Sequence, residues 1–530
     1  MASEDFKKRT FEIFGQLNRI PRPSHHEEKA ADFLCAFAEG LGLEYERDAQ
    51  NCVVIRKRAT PGHEGAETVV LLNHMDMVAV SDGSRPFDPL SDGVEPYVED
   101  GWMKARGTSL GADNGIGLSM ALAVLADDTL VHGPLEVLTT TNEEDGMSGA
   151  AAMSPDFVRG RKVINLDSED YDTITVGAAG AYLQRARFKS APKPAAEGTA
   201  FFEISLSGGL GGHSGVDIGK GRTNAIRALA DLICTCAAST SPQATDANPA
   251  GEMATTSGGS TAAASTSPQT TDANAIGEMA TTSGGSIGDI AIVSISGGSA
   301  SASIPSSCTA TVGIAPAWAE GFEERLRERF ARMRGEFSDG EGLTLTVSAA
   351  EGGPVIAGRE FLELLLSLPC GVIRMHDALP GTVMTSNNIG TVRSDRGGIS
   401  VTCHTRSFSD DEMVRTAEGI SASFSASGAD VEVLMNTPGW QENPDSGFLA
   451  LTDSTFRDVL GFSPRKVAMH FVLEAGYYVR KFPGIEIACI GPRIVEPHST
   501  SERVCLSTVT DICDVLVEML SRLAFLHTRD

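Results

Sequence analysis

Apolar residues recur along this chain in two rhythms. Val69-Val70-Leu71-Leu72 is apolar without a break, as suits a short strand covered on both faces. Before it the period is helical: Ser3 stands as a cap for a helix reaching about residue 18, and 27–40 reads as a second helix closed by Gly40. A helix over 115–126, a strand over 135–141, a short helix near 148–153 and a strand over 163–166 follow. Such alternation predicts a largely parallel sheet with helices on both sides. From about residue 181 the rhythm changes. Segments 201–206, 290–295, 309–314 and 343–347 alternate as half-exposed strands do, with helices over 223–236 and 320–334 between them. Strand-like runs at 382–392 and 399–405 and a helix over 411–424 extend this second region. The first pattern returns after about residue 436, with a strand over 485–490 and a closing helix over 506–526. The predicted fold class is α/β: a discontinuous domain of 1–180 and 436–530 with a mixed, largely parallel sheet, carrying an inserted α+β domain of 181–435.

One stretch fits neither rhythm. Residues 237–260 and 263–286 are near copies, matching at 21 of 24 positions with a period of 26. Two copies are too few for a solenoid, and neither has an apolar face to stack. The 50 residues of 237–286 hold no Leu, Val, aromatic, Lys or Arg, so they cannot bury enough apolar surface to offset their ordering entropy. They are expected to form a disordered loop, which leaves about 480 of the 530 residues for the two domains. Charge narrows the partners. The chain has 43 Lys+Arg against 70 Asp+Glu, a net charge of −27, and only four of the acidic residues lie in the duplicated loop. Such acidity argues against nucleic acid and against an anionic membrane. No apolar run reaches the ~18 residues of a membrane span, and the first residues lack the pattern of a signal peptide. Ten cysteines without a CxxC pair are read as free thiols in a reducing compartment. A soluble, cytoplasmic protein is expected.

The chemistry lies after the buried strands. His74-Met75-Asp76 follows the strand over 69–72, Glu143-Glu144 the strand over 135–141, and Asp167 the strand over 163–166. Asp113-Asn114 opens a helix after the glycines of Gly107-Thr-Ser-Leu-Gly111. In an open α/β sheet the carboxyl ends of parallel strands line one crevice, so these groups should converge. Several carboxylates and a histidine in one cleft raise one another's pKa and oppose their own ionisation, a conflict that divalent cations sharing a carboxylate would resolve. A donor set of His, Asp and Glu without Cys suits zinc, with manganese or cobalt as substitutes.

These residues also carry a resemblance. His74-Met-Asp-Met-Val78, Lys104-Ala-Arg-Gly-Thr-Ser-Leu-Gly-Ala-Asp-Asn-Gly-Ile-Gly117 and Asn142-Glu-Glu-Asp-Gly-Met147 resemble segments of the aminoacyl-histidine dipeptidases. Those are the PepD-type members of the di-zinc exopeptidases that include peptidase T and glutamate carboxypeptidase. Ile164-Asn-Leu-Asp-Ser-Glu169, Gly211-Gly-His-Ser-Gly215, Gly371-Val-Ile-Arg-Met375, Pro438-Gly-Trp440 and Pro497-His-Ser499 extend the resemblance in order over nearly the whole chain, apart from the repeat.

The resemblance implies that His74, Asp113 and Asp167 ligate one zinc and Asp113, Glu144 and His498 another, with Asp113 bridging and the Asp113–Asn114 peptide cis. It makes Asp76 the carboxylate that orients His74, Glu143 the general base, and His213 an oxyanion donor from the inserted lid domain, often acting on the partner subunit. Arg406, Asn387 and Asn388 are candidates for the substrate carboxylate, since a dipeptidase needs a cation and donors there. A dipeptide substrate and a homodimer joined through the lid domains are implied as well. The chain departs from bacterial relatives at Met469-His-Phe-Val-Leu-Glu-Ala475, where they have small residues between His and Glu and then a cysteine, and after His213, where Val216-Asp-Ile-Gly219 lacks a histidine. Both changes bear on which substrate is preferred. The leading expectation is hydrolysis of Xaa-His dipeptides. An N-acyl-amino-acid amidohydrolase and a catalytically silent binding relative stand as alternatives.

Overall fold

The computed structural model describes residues 1–238, 289–337, 340–395, 397–441, 443 and 445–526. The duplicated loop expected over 237–286 lies, from residue 239 on, outside the described residues. No helix among the described residues is long and apolar enough to cross a membrane.

Two large sheets organise the molecule. One has eight strands drawn from residues 44–178 and 465–489. At its centre Leu135–Thr140, Val69–His74, Lys162–Asn165 and Glu486–Cys489 run side by side and parallel. Glu44–Arg47 and Val53–Lys57 add antiparallel strands at one edge. Val69–His74 and Leu135–Thr140 are buried at every position, which accounts for their uninterrupted apolar character. The second sheet is antiparallel throughout and uses strands between Gly180 and Thr437. The chain passes from one sheet to the other where Thr173–Ala178 runs almost directly into Gly180–Lys189.

Helices cover the parallel strands on both faces. Ser3 caps Glu4–Leu17, its hydroxyl accepting from the Phe6 amide at 3.1 Å. That helix, Ala112–Leu125 and Leu506–Ala524 contribute to one apolar core against the sheet; Phe157, Tyr478 and Phe482 belong to a second. Ala112–Leu125 is buried almost all round, so it shows no polar stripe, and it starts three residues before the periodicity suggests. Its close approach to the sheet depends on Gly117, where a Cβ would stand 2.2 Å from the Leu166 carbonyl.

Candidate metal centre

The three parallel strands at the heart of the first sheet end together, and each hands a polar group to the same place. Val69–His74 delivers His74 and, two residues on, Asp76. Glu143 and Glu144 follow Leu135–Thr140, and Asp167 follows Lys162–Asn165. Asp113 enters from the first turn of Ala112–Leu125, where the Asp113–Asn114 peptide is cis. His498 arrives on the hairpin loop between Ile494–Val495 and Arg503–Cys505.

Asp113 stands between two imidazoles. Its Oδ1 lies 3.1 Å from His74 Nε2 and its Oδ2 3.2 Å from His498 Nε2. Asp167 Oδ1 approaches the same His74 nitrogen at 3.3 Å, and Glu144 Oε2 lies 2.8 Å from His498. Ligand atoms of His74, Asp113 and Glu144 fall within 4.8 Å of one another. Asp76 is fully buried and faces the other side of the ring, with Oδ1 3.4 Å from His74 Nδ1. It also accepts from the Ser24 hydroxyl at 2.8 Å and from the Glu143 and Glu144 amides at 3.1 and 3.2 Å. One carboxylate thus fixes both the imidazole and the turn that carries the paired glutamates.

Two buried groups that the sequence motifs did not single out brace this arrangement. The Arg22 guanidinium donates to the carbonyls of Met75, Asp76 and Gly111 at 2.9, 3.0 and 2.7 Å, tying the His74 loop to the Asp113 loop. Glu502, four residues beyond His498, accepts from the amides of Leu110, Gly111, Ala112 and Asp113 at 2.7–3.3 Å. Gly111 offers no capping side chain, so the unpaired N–H groups of the helix are met by a carboxylate about 390 residues away in sequence. The only sequence signal for Glu502 is its nearness to the Pro497-His-Ser499 motif.

Electrostatics set the character of the site. Burial, with the Asp113 carboxylate beside it, pushes Asp167 up to about 7. Burial and the neighbouring Asp167, Glu474 and Glu144 carboxylates raise Glu143 well above the carboxylate range. Glu474, buried and held by the Thr140 hydroxyl at 2.9 Å, is pushed up to about 8 by burial and Asp167. Hydrogen bonds donated to the Asp113 and Glu144 carboxylates lift His498 to about 11, which favours its charged form. Glu144 Oε1 is buried without a partner. A crowded, buried set of carboxylates that shares protons with its imidazoles, and that leaves one carboxylate oxygen orphaned, has the donor types that fit divalent cations.

Comparison with known proteins identifies the family. Residues 70–522 match the model of "Peptidase family M20/M25/M40". The chain belongs to that family.

The peptidase is 31% identical over 518 residues to the cytosol non-specific dipeptidase of Escherichia coli, covering 97% of each chain. Among solved structures, aminoacylhistidine dipeptidase from Vibrio alginolyticus superposes with a TM-score of 0.82 at 29% identity, over 97% of this chain and 96% of that one. A Staphylococcus aureus tripeptidase shares the fold at 15% identity and a TM-score of 0.55, over 98% and 99% of the two chains. Membership makes the protein a metal-dependent peptidase, a hydrolase.

Of the remaining sequence candidates, Asn387, Asn388 and Arg406 lie on strands of the second sheet of the peptidase and His213 on a loop of the same region. Ser386 and Arg406 are cross-strand partners, as are Asn388 and His404. Arg406 is 4% exposed, and its guanidinium makes no hydrogen bond or ion pair among the described residues. Asn387 projects to the other face, beside Thr405, donating to the Pro369 carbonyl at 2.7 Å and accepting from the Thr405 hydroxyl at 3.0 Å. Asn388 donates to the Ser303 carbonyl at 2.8 Å and accepts from the Asn224 amide at 3.2 Å. Both asparagines therefore spend their amides on backbone carbonyls of neighbouring loops, while Arg406 keeps its donors. His213 accepts at Nδ1 from the Gly215 and Val216 amides, at 3.2 and 3.1 Å, which leaves Nε2 as the N–H of the neutral ring. Its loop packs against the end of strand Arg465–Met469: a Cβ on Gly215 would lie 2.2 Å from the His470 carbonyl. His470 in turn meets the Ser386 hydroxyl at 2.8 Å.

Proposed function

We propose that the chain is a cytoplasmic dipeptidase hydrolysing Xaa-His and related dipeptides at a dinuclear zinc site, with Glu143 as general base. The observation that carries this reading is Asp113, whose two carboxylate oxygens each face a different histidine. His74, Asp113 and Asp167 would hold one cation; Asp113, Glu144 and His498 would hold the other. Bound there, divalent cations supply Lewis acidity, polarising the scissile carbonyl and acidifying the attacking water.

The chain's own residues do the rest. Glu143 sits where burial and three carboxylates favour its protonated form, so it takes a proton readily and can hand it to the leaving amine. Asp76 holds the His74 ring and the amides of Glu143 and Glu144, which keeps the base in place through both transfers. Arg406, buried and unpaired, provides the cation for the substrate's carboxylate, and His213 presents Nε2–H as a donor from the lid. The division into a catalytic domain of 1–180 and 436–530 and a lid of 181–435, and a homodimer joined through the lids, belong to the same proposal. The overall similarity to the Escherichia coli and Vibrio dipeptidases supports it.

The test is an assay of zinc-loaded protein on Xaa-His dipeptides and on N-acetyl amino acids. Turnover of the dipeptides is expected. Turnover of the acylated substrates alone would assign an amidohydrolase, and turnover of neither would assign a silent binding protein.

A further inference from the structure

The sheet face that carries Arg406 also carries a histidine for which the metal centre has no use. His404 precedes Arg406 by two residues on strand Gly398–Ser407, so both side chains leave the same face, about 6.6 Å apart along the strand. His404 is 4% exposed; its ring approaches the Ser301 carbonyl, but neither nitrogen completes a hydrogen bond of good geometry among the described residues. Beside it Arg406 Nε and His470 Nδ1 are also buried and unpartnered. Buried polar groups are mostly paired, with protein, ordered water or a ligand. Incompletely met polar atoms on His404, Arg406 and His470 mark a candidate recognition surface.

Its charge limits what it receives. The groups acting on His404 and His470 are Arg406 and His213, and neither histidine nor Arg406 forms an ion pair with a carboxylate among the described residues. Burial, reinforced by Arg406, holds both imidazoles neutral, down at about 3. The cluster therefore offers one fixed positive charge, suited to one carboxylate. A neutral imidazole adds one N–H and one lone pair.

We infer that His404 reads the side chain of the substrate's C-terminal residue, favouring one that both donates and accepts a hydrogen bond, such as neutral histidine or asparagine, over an aliphatic or cationic one. This rests on the reading that Arg406 takes the carboxylate of that same residue. A site built to hydrogen-bond a side chain discriminates strongly against one lacking the group, because its own buried polar atoms stay unpaired.

The experiment measures kcat/KM for Ala-His, Ala-Asn, Ala-Leu and Ala-Lys with the zinc-loaded wild type, His404→Leu, His404→Gln and Arg406→Gln. Wild type is expected to favour Ala-His and Ala-Asn over Ala-Leu and Ala-Lys by roughly tenfold or more. His404→Leu, close in volume, lowers the Ala-His to Ala-Leu ratio by about tenfold or more, and His404→Gln, which keeps a donor and an acceptor, restores part of it. Calorimetric binding of free histidine and free leucine follows the same order without turnover. A ratio in His404→Leu within about twofold of wild type overturns the inference. If Arg406→Gln leaves KM unchanged for every dipeptide, the carboxylate reading fails instead; a raised KM there with an unmoved ratio in His404→Leu removes the role of His404 alone.

Discussion

Replacing Glu502 by Gln tests how Asp113 is held. The wild-type carboxylate accepts from four consecutive amides, Leu110 and Gly111 on one oxygen and Ala112 and Asp113 on the other. Glutamine keeps the shape but presents one oxygen and one NH2, so two of the four amides face a donor. Each hydrogen bond to a charged group contributes about 1.5–3 kcal/mol net, and a buried amide left unpaired costs about 1–3 kcal/mol. These contributions overlap, and a loss of about 3 kcal/mol at residues 110–113 is expected. That corresponds to amide exchange from this segment roughly a hundredfold faster.

Mass-spectrometric hydrogen exchange on peptides spanning 108–116 reads the effect directly, with peptides from the second sheet as internal control. Because Asp113 begins at the end of this ladder, zinc affinity measured by competition with a chelator should fall in parallel. Glu502→Asp keeps the charge but draws the oxygens back by about one bond length, ~1.5 Å, and should give an intermediate exchange rate. Unchanged protection in Glu502→Gln would mean that the helix start is held by its neighbours, and the argument from the four amides would be wrong.

Glu143→Ala is expected to keep its metal, counted by atomic absorption, and to lose turnover by roughly 10²–10⁴-fold; an active variant would remove Glu143 as base. Asp76→Asn should weaken zinc binding about 10–100-fold, because it loosens both the His74 ring and the glutamate turn; an unchanged chelator titration would refute this. Arg22→Met leaves three buried carbonyls without their donor and should lower the urea midpoint by the equivalent of about 3 kcal/mol or more, with no such drop for the exposed Arg159→Met. His404 stays neutral when folded but takes a proton near pH 6.5 when unfolded, so the folded state binds fewer protons between about pH 3 and 6.5. Its contribution is therefore complete above pH 6.5 and lost as pH falls, and His404→Leu should flatten the acid side of the stability profile. An identical profile would contradict a neutral, buried His404.

What the sequence discloses here follows from how each element is constrained. The parallel strands are legible because burial on both faces leaves an unbroken apolar run, and the metal centre is legible because each of those strands ends on its polar group. Strand Arg465–Met469 is not legible in the same way: it lies at a sheet edge, alternation is absent, and its pairing partner Thr173–Ala178 is about 290 residues away. The bracing residues fail for a related reason. Arg22 and Glu502 act on backbone carbonyls and amides, which every residue possesses, so nothing at positions 75, 76 or 110–113 announces a partner. Asn387 and Asn388 show the converse. Their side chains look like free donors until cross-strand register puts one beside Thr405 on the far face and spends the other on Ser303. Register also joins His404 to Arg406, because residues two apart on a strand share a face. The candidate metal centre is thus written in residue types, whereas the proposed selection among substrates is written in which face of a strand each residue occupies.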